Sequence, residues 1–149
     1  MQTPSRRAEL IRQEYLGAAL LIATFSASPA LSASSVQGRW LTPAKDSVIE
    51  IAPCGPKMCG RVAKILRPDP KGVSSDVKNP NPALRTRPIL GLAILSDFAD
   101  AGSQWSGTIY DPRNGKSYRS NVARNADGTL KVQGCIAFFC QTQTWTKAP

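Results

Sequence analysis

From residue 36 onward, apolar and polar residues alternate in short runs broken by turn residues. The stretch Thr129-Leu-Lys-Val-Gln-Gly134 puts Leu130 and Val132 on one face and Lys131 and Gln133 on the other, the period of a half-buried strand. Trp105, Gly107 and Ile109 share a face in the same way, while residues 89–95 are apolar on both faces and are expected to form a covered strand. The pattern predicts strands over 36–42, 47–52, 60–66, 89–96, 104–110, 117–123, 129–134 and 141–147, with no helix. Ala44-Lys45-Asp46, Gly55-Pro56, Ala101-Gly102, Asn114-Gly115 and Asp127-Gly128 punctuate them, and Asn-Gly and Asp-Gly between strands are hairpin signals. Eight strands joined mostly by tight turns predict an all-β fold: a single eight-stranded up-and-down antiparallel barrel, or a closely related sandwich. A barrel of that size is either filled by its own side chains or holds one small ligand.

One connection departs from the hairpin pattern. Residues 67–88 form a long loop holding five of the twelve prolines (68, 70, 80, 82 and 88). Loops beyond about 12–15 residues are uncommon in compact domains and usually carry function or are disordered. Asp76, Asn79, Arg85 and Arg87 gather polar groups here, and two readings compete. In one, the loop is a binding lid; in the other, it is a proline-stiffened flap that pins its own backbone, with Asp76 as its salt-bridge anchor.

The chain of 149 residues opens with Arg6, Arg7 and Arg12, an apolar run over 15–25 and then small residues. That is the layout of a secretory signal, and the run is about half of the roughly 20 residues that span a bilayer. Residues 1–33 are therefore expected to be cleaved, after Ala30, Ser32 or Ala33. Residues 34–149 would remain as one barrel domain in the periplasm or outside the cell. Removing the leader takes the 19 basic and 10 acidic side chains of the whole chain to 16 and 8.

An oxidising address suits the cysteines, which form two equally spaced pairs, Cys54/Cys59 and Cys135/Cys140. The spacing is wider than the C-x-x-C of a redox centre, and a Cys₄ metal site is the poorer reading in such a compartment. Three connectivities exist. Gly55-Pro56 favours Cys54–Cys59 and, with it, Cys135–Cys140; pairing between the two segments stays open, because 136–139 looks less like a turn.

The chain has no histidine, which removes the commonest general base and metal ligand. No Gly-x-Ser-x-Gly elbow and no phosphate-cradling loop is present. Among the eight carboxylates of 34–149, only Asp76 has conspicuous polar company. No catalytic residue, metal site or cofactor is expected. The basic side chains are scattered with no run of four, so nucleic acid is not the expected partner, and anionic envelope components are the more accessible class.

The run Asp76-Val-Lys-Asn79-Pro80-Asn-Pro82-Ala-Leu84-Arg85-Thr-Arg87-Pro88-Ile-Leu-Gly91 resembles the central motif of the bacterial exported family called domain of unknown function 2147. Gly38-Arg-Trp40, Ile51-Ala-Pro-Cys54, Cys59-Gly60-Arg-Val, Gly107-Thr-Ile-Tyr110-Asp111-Pro112, Gly115-Lys-Ser-Tyr118, Leu130-Lys-Val-Gln-Gly134-Cys135 and Thr144-Trp145-Thr146 agree with it. The resemblance covers residues 36–147 and implies a lipocalin/calycin-like barrel in the cell envelope, without bringing a catalytic residue. Gly38-x-Trp40 also resembles the lipocalin opening, in which the Trp packs at the closed end beneath a basic side chain of the last strand. Lys147, just after Trp145, is the matching residue, a departure from the Arg of many lipocalins.

Two functions follow as expectations. The first is non-enzymatic binding of a small apolar or amphiphilic molecule, with Asp76, Asn79, Arg85, Arg87, Tyr110 and Tyr118 as candidate contacts and Arg85 or Arg87 meeting an acidic group at the mouth. The second is a rigid module that binds or inhibits an envelope protein through its loops. An enzyme ranks third.

Overall fold

The computed structural model describes residues 32–149. The export leader read over 1–33 lies almost wholly outside the described residues. Eight antiparallel strands, β1 (Gly38–Leu41), β2 (Ser47–Cys54), β3 (Lys57–Ile65), β4 (Ala93–Asp100), β5 (Trp105–Asp111), β6 (Lys116–Arg124), β7 (Leu130–Ile136) and β8 (Phe139–Lys147), close in sequence order into a barrel. Closure rests on Trp40 opposite Lys147 and Leu41 opposite Thr146. The one helical element among the described residues is a 3₁₀ turn, Pro82–Leu84. No helix among them is long and apolar enough to cross a membrane.

The predicted β4 is displaced toward the C-terminus. Residues 89–92 are apolar but belong to the loop, where Leu90 is exposed, and the strand instead runs to Asp100. A turn closed by the Leu92 N–H on the Ile89 carbonyl, with Gly91 in a left-handed backbone (φ 84°), delays the start of the strand. A bulge follows between Ser96 and Ala99, where Asp97 is also left-handed (φ 60°). One extra residue lets Leu95 and Phe98 both face inward, which breaks the period of two.

The two disulfides are Cys54–Cys59, which clamps the β2–β3 turn, and Cys135–Cys140, which clamps the β7–β8 turn. Residues 136–139 do form a tight turn: Ile136 pairs with Phe139, and Ala137 (φ 50°) supplies the positive φ that two-residue hairpins demand.

The interior divides into a filled half and a hollow one. At the end where β1 begins, Val36, Ile51, Met58, Leu95, Phe98 and Val122 pack with almost no space between them. Two glycines make this packing fit. A Cβ on Gly60 would lie 2.7 Å from Leu95, and one on Gly107 would lie 2.7 Å from the Phe98 ring and 2.6 Å from the Ser96 carbonyl oxygen. The chain ahead of β1 seals this end: Trp40 Nε1 donates to the Val36 carbonyl (2.9 Å) and Trp105 Nε1 to that of Ser34 (3.0 Å). Arg124 of β6 lies over the Trp40 ring at 5.5 Å. Lys147, expected in that place, is Trp40's cross-strand neighbour and stays exposed.

Because Phe98 occupies the space over Gly107, Gly107→Ala forces the ring or the β4 backbone to move. Overpacking of this kind costs about 1–3 kcal/mol, to be read as a lowered urea midpoint at unchanged slope. An unchanged midpoint would show that the barrel floor is loosely packed.

Candidate functional site

The long loop leaves β3 at the open end and returns to β4, held by one buried group. Asp76 is 0% exposed. Its Oδ1 accepts from Tyr110 Oη (2.7 Å), and its Oδ2 from Asn79 Nδ2 (2.8 Å) and Arg87 Nε (2.9 Å), with a second Arg87 nitrogen 2.8 Å away. Asn79 Nδ2 also donates to Tyr110 Oη (3.1 Å), Arg85 Nε donates to the Asn79 carbonyl (2.8 Å), and the Arg87 guanidinium lies 5.5 Å from the Tyr110 ring centroid. The backbone follows the same plan: Asp76 N–H donates to the Arg87 carbonyl, and Ile89 N–H to that of Ser74. A buried carboxylate without partners is prohibitive, so these donors fix where the loop must sit.

Gly115 completes the dock. It takes a left-handed backbone (φ 70°) at the β5–β6 turn, and a side chain there would run into the Lys78 carbonyl. The loop thus lies on the rim beside β5 and β6.

Burial alone would push the Asp76 carboxyl up. Hydrogen bonds from Tyr110, Asn79 and Arg87, with the Arg87 charge, outweigh it and hold the group below the ordinary aspartate value of 3.8. Tyr110 is pushed up from 10.0, by burial first and then by the adjacent carboxylate.

Beneath the rim the barrel is hollow. A cavity of about 1010 Å³ opens at this end. Its walls and floor are Ile49, Val62, Ile94, Ile109, Val132 and Trp145, with Gln141 and Gln143 on the inward face of β8. The charged rim consists of Asp46, Arg67, Asp69, Asp111 and Arg113. Arg113 on the β5–β6 turn reaches Asp46 on the β1–β2 turn at 2.7 Å, a bridge across the mouth between strands on opposite sides of the barrel. Asp69 accepts from Lys71 N–H, and Asp111 from Arg113 N–H and Asn114.

The sequence candidates therefore split. Asp76, Asn79, Arg85, Arg87 and Tyr110 come together, but as a network that satisfies itself, as the anchoring reading expected. Of the candidate contacts, only Tyr110 and Tyr118 line the cavity, and Tyr118 Oη accepts from Asn114 (2.9 Å). The cations at the mouth are Arg67 and Arg113, not Arg85 and Arg87. Gly38 pairs with Ile51 at the sealed end, and Trp145 forms cavity floor. Sequence reasoning passed over Gln141 and Gln143, although their spacing with Trp145 along β8 carries the signal for one shared face. Arg113 and Asp46 lie 67 residues apart and carry no local signal.

Tyr110→Phe leaves Asp76 Oδ1 short of a donor and is expected to cost about 1–3 kcal/mol, with faster proteolysis within 67–88. The pH dependence has a fixed sign. A carboxyl held below its unfolded value contributes fully above pH 3.8, and the contribution is lost as pH falls through the lowered folded value. A tyrosine raised above 10.0 contributes fully below that value and loses its contribution as pH rises through the raised one. Unfolding midpoints of Asp76→Asn should therefore fall less steeply below about pH 4 than those of the wild type. Parallel acid limbs would contradict the anchor.

Comparison with known proteins adds three findings. None of the curated proteins matches this chain. Among solved structures, the chain is similar to protein HP1028 from the human pathogen Helicobacter pylori, described as belonging to the lipocalin family. The likeness has a TM-score of 0.66 at 25% identity and covers 77% of this chain and 84% of that one. The closed eight-stranded barrel and the lipocalin neighbour agree on a lipocalin-like fold. A family model described as "Uncharacterized protein conserved in bacteria (DUF2147)" matches residues 38–147, spanning all eight strands and the anchored loop, and the chain belongs to that family.

Proposed function

We propose that the protein is an exported barrel that binds one small apolar or amphiphilic molecule in its upper cavity, without chemical conversion. The cavity carries this reading. Its volume of about 1010 Å³ is at the top of the range for ligand pockets, roughly 300–1,000 Å³. Its deep part is apolar and its rim is polar, which orders an amphiphile tail-down. At the mouth, the Arg113 end of the Arg113–Asp46 pair is largely solvent-exposed while Asp46 is mostly covered, and ion pairs open to water on one side are worth about 1 kcal/mol or less. An acidic head group can take Asp46's place at Arg113. Tyr118 Oη is engaged as an acceptor, which leaves its own proton for a ligand oxygen. Asp46, Asp69 and Asp111 on the rim each accept a hydrogen bond from within their own turn, which supports a binder over a catalyst. Export is supported by two formed disulfides, with no free cysteine among the described residues.

Gly134 offers the cleanest test. It faces the cavity, and a Cβ there would meet Ile109 at an ordinary 3.7 Å. Gly134→Trp should fill the cavity while the barrel still folds. Titration with an anilinonaphthalene sulfonate dye, displaced by a monoacyl fatty acid, is expected to show one site per chain, weakened about tenfold or more in the variant, a difference above 1.4 kcal/mol. Absence of dye binding in the wild type, or equal affinity in a folded variant, would sink the proposal.

A further inference from the structure

The β7–β8 turn presents Phe138 at 97% exposure, Phe139 at 84% and Ile136 at 65%. Soluble proteins scatter single apolar residues over their surfaces, but a pair of aromatic rings at a protruding tip marks an interaction site. This tip is rigid. The Cys135–Cys140 bond closes the hairpin at its base, and Arg119 donates to the Ala137 carbonyl at its apex (3.0 Å). Pre-organisation of that kind reduces the entropy lost when the rings are immobilised.

The surroundings state what the tip meets. Ile136 and Phe139 also line the cavity, so the tip stands at the barrel mouth. The segments that form this end, 42–46, 66–92, 111–119 and 136–139, carry nine Lys and Arg against four Asp. One of those acids, Asp76, is buried and neutralised by Arg87. Of the remaining acids, Asp46 pairs with Arg113, and Asp69 and Asp111 accept hydrogen bonds from their own turns, so the other bases of this end have no acidic partner among the described residues. Leu66 and Leu90, also exposed, sit among these bases. Apolar side chains interspersed with flexible cations are the composition of an interfacial membrane contact, where rings enter the head-group boundary and the cations meet anionic lipids. A fluid surface requires no fixed shape complementarity, which suits a convex two-residue tip better than a flat protein face would.

From this we infer that the open end of the barrel docks on a bilayer bearing anionic head groups, with Phe138 and Phe139 inserted. The mouth of the cavity then faces the lipid. Docking rests on the surface of the hairpin and the rim charges, and it stands or falls apart from what the cavity holds.

The test is co-sedimentation of the oxidised protein with vesicles of phosphatidylcholine alone or mixed with phosphatidylglycerol. Association is expected with the mixed vesicles and should weaken on raising salt, since exposed charges are screened. Phe138→Ser, at a position outside the cavity lining, should lower association about tenfold, as loss of one inserted ring implies. Dye titration of the same variant should give the wild-type affinity, which separates docking from cavity binding. In Phe138→Trp, the added indole emission should shift to the blue on mixed vesicles. No association of the wild type, unchanged association of Phe138→Ser, or no blue shift would overturn the inference. Retention of Phe138→Ser on the vesicles would point to a purely electrostatic contact, and absence of lipid binding would leave the tip to a protein partner.

Discussion

The open end of this barrel is organised by the need to neutralise one carboxylate. Asp76 is removed from water, and its oxygens are supplied by Tyr110 from the barrel and by Asn79 and Arg87 from the loop. Breaking such a buried pair costs about 3–5 kcal/mol, so a loop that left the rim would strand the charge. The five prolines act in the same direction by limiting the unfolded chain's freedom. Pinned beside β5 and β6, most of the loop lies on the rim, while its first residues, Arg67 to Ser75, form part of the cavity mouth.

The interior is governed by where side chains are missing. Gly60 and Gly107 surrender their space to Leu95 and Phe98, which close the lower half. Gly134 has only ordinary contacts with Ile109 and Tyr118 where its side chain would be, and it lines the volume that stays open. Trp145 marks the boundary: it is buried, forms cavity floor, and donates its Nε1 proton to Gln143 (2.9 Å). The same strand thus supplies the floor and the polar wall, while the disulfide at its start holds the apolar tip in place.

Much of this was legible in the chain. Alternation and turn residues located eight strands and their order, and Gly55-Pro56 pointed to the observed Cys54–Cys59 pairing. The polar company of Asp76 was visible too, because Asp, Asn and two Arg within a dozen residues share few other reasons to cluster. What escaped has a physical explanation. The apolar run at 89–92 reads as strand because only Gly91 hints at the turn it makes, and the bulge at Asp97 depends on a backbone state that aspartate adopts without advertising it. Whether the interior is hollow depends on which side chains face Gly60, Gly107 and Gly134 across the sheet, a matter of register that local patterns do not encode. The charges of Arg85 and Arg87 suggest the mouth in sequence, but Arg87 is taken up by the buried Asp76 and Arg85 by the Asn79 carbonyl.

The central claim is a barrel filled below and hollow above, with a ligand held in the upper half. Isotope-labelled isoleucine methyl groups report on both halves at once: Ile49, Ile94 and Ile109 line the cavity, and Ile51 lies in the packed floor. Methyl NMR during titration with a monoacyl fatty acid measures the claim directly. The account expects the three cavity methyls to shift together and saturate, with Ile51 unmoved. A shift of Ile51 as large as those of the three, or no shift at any of the three, would contradict it.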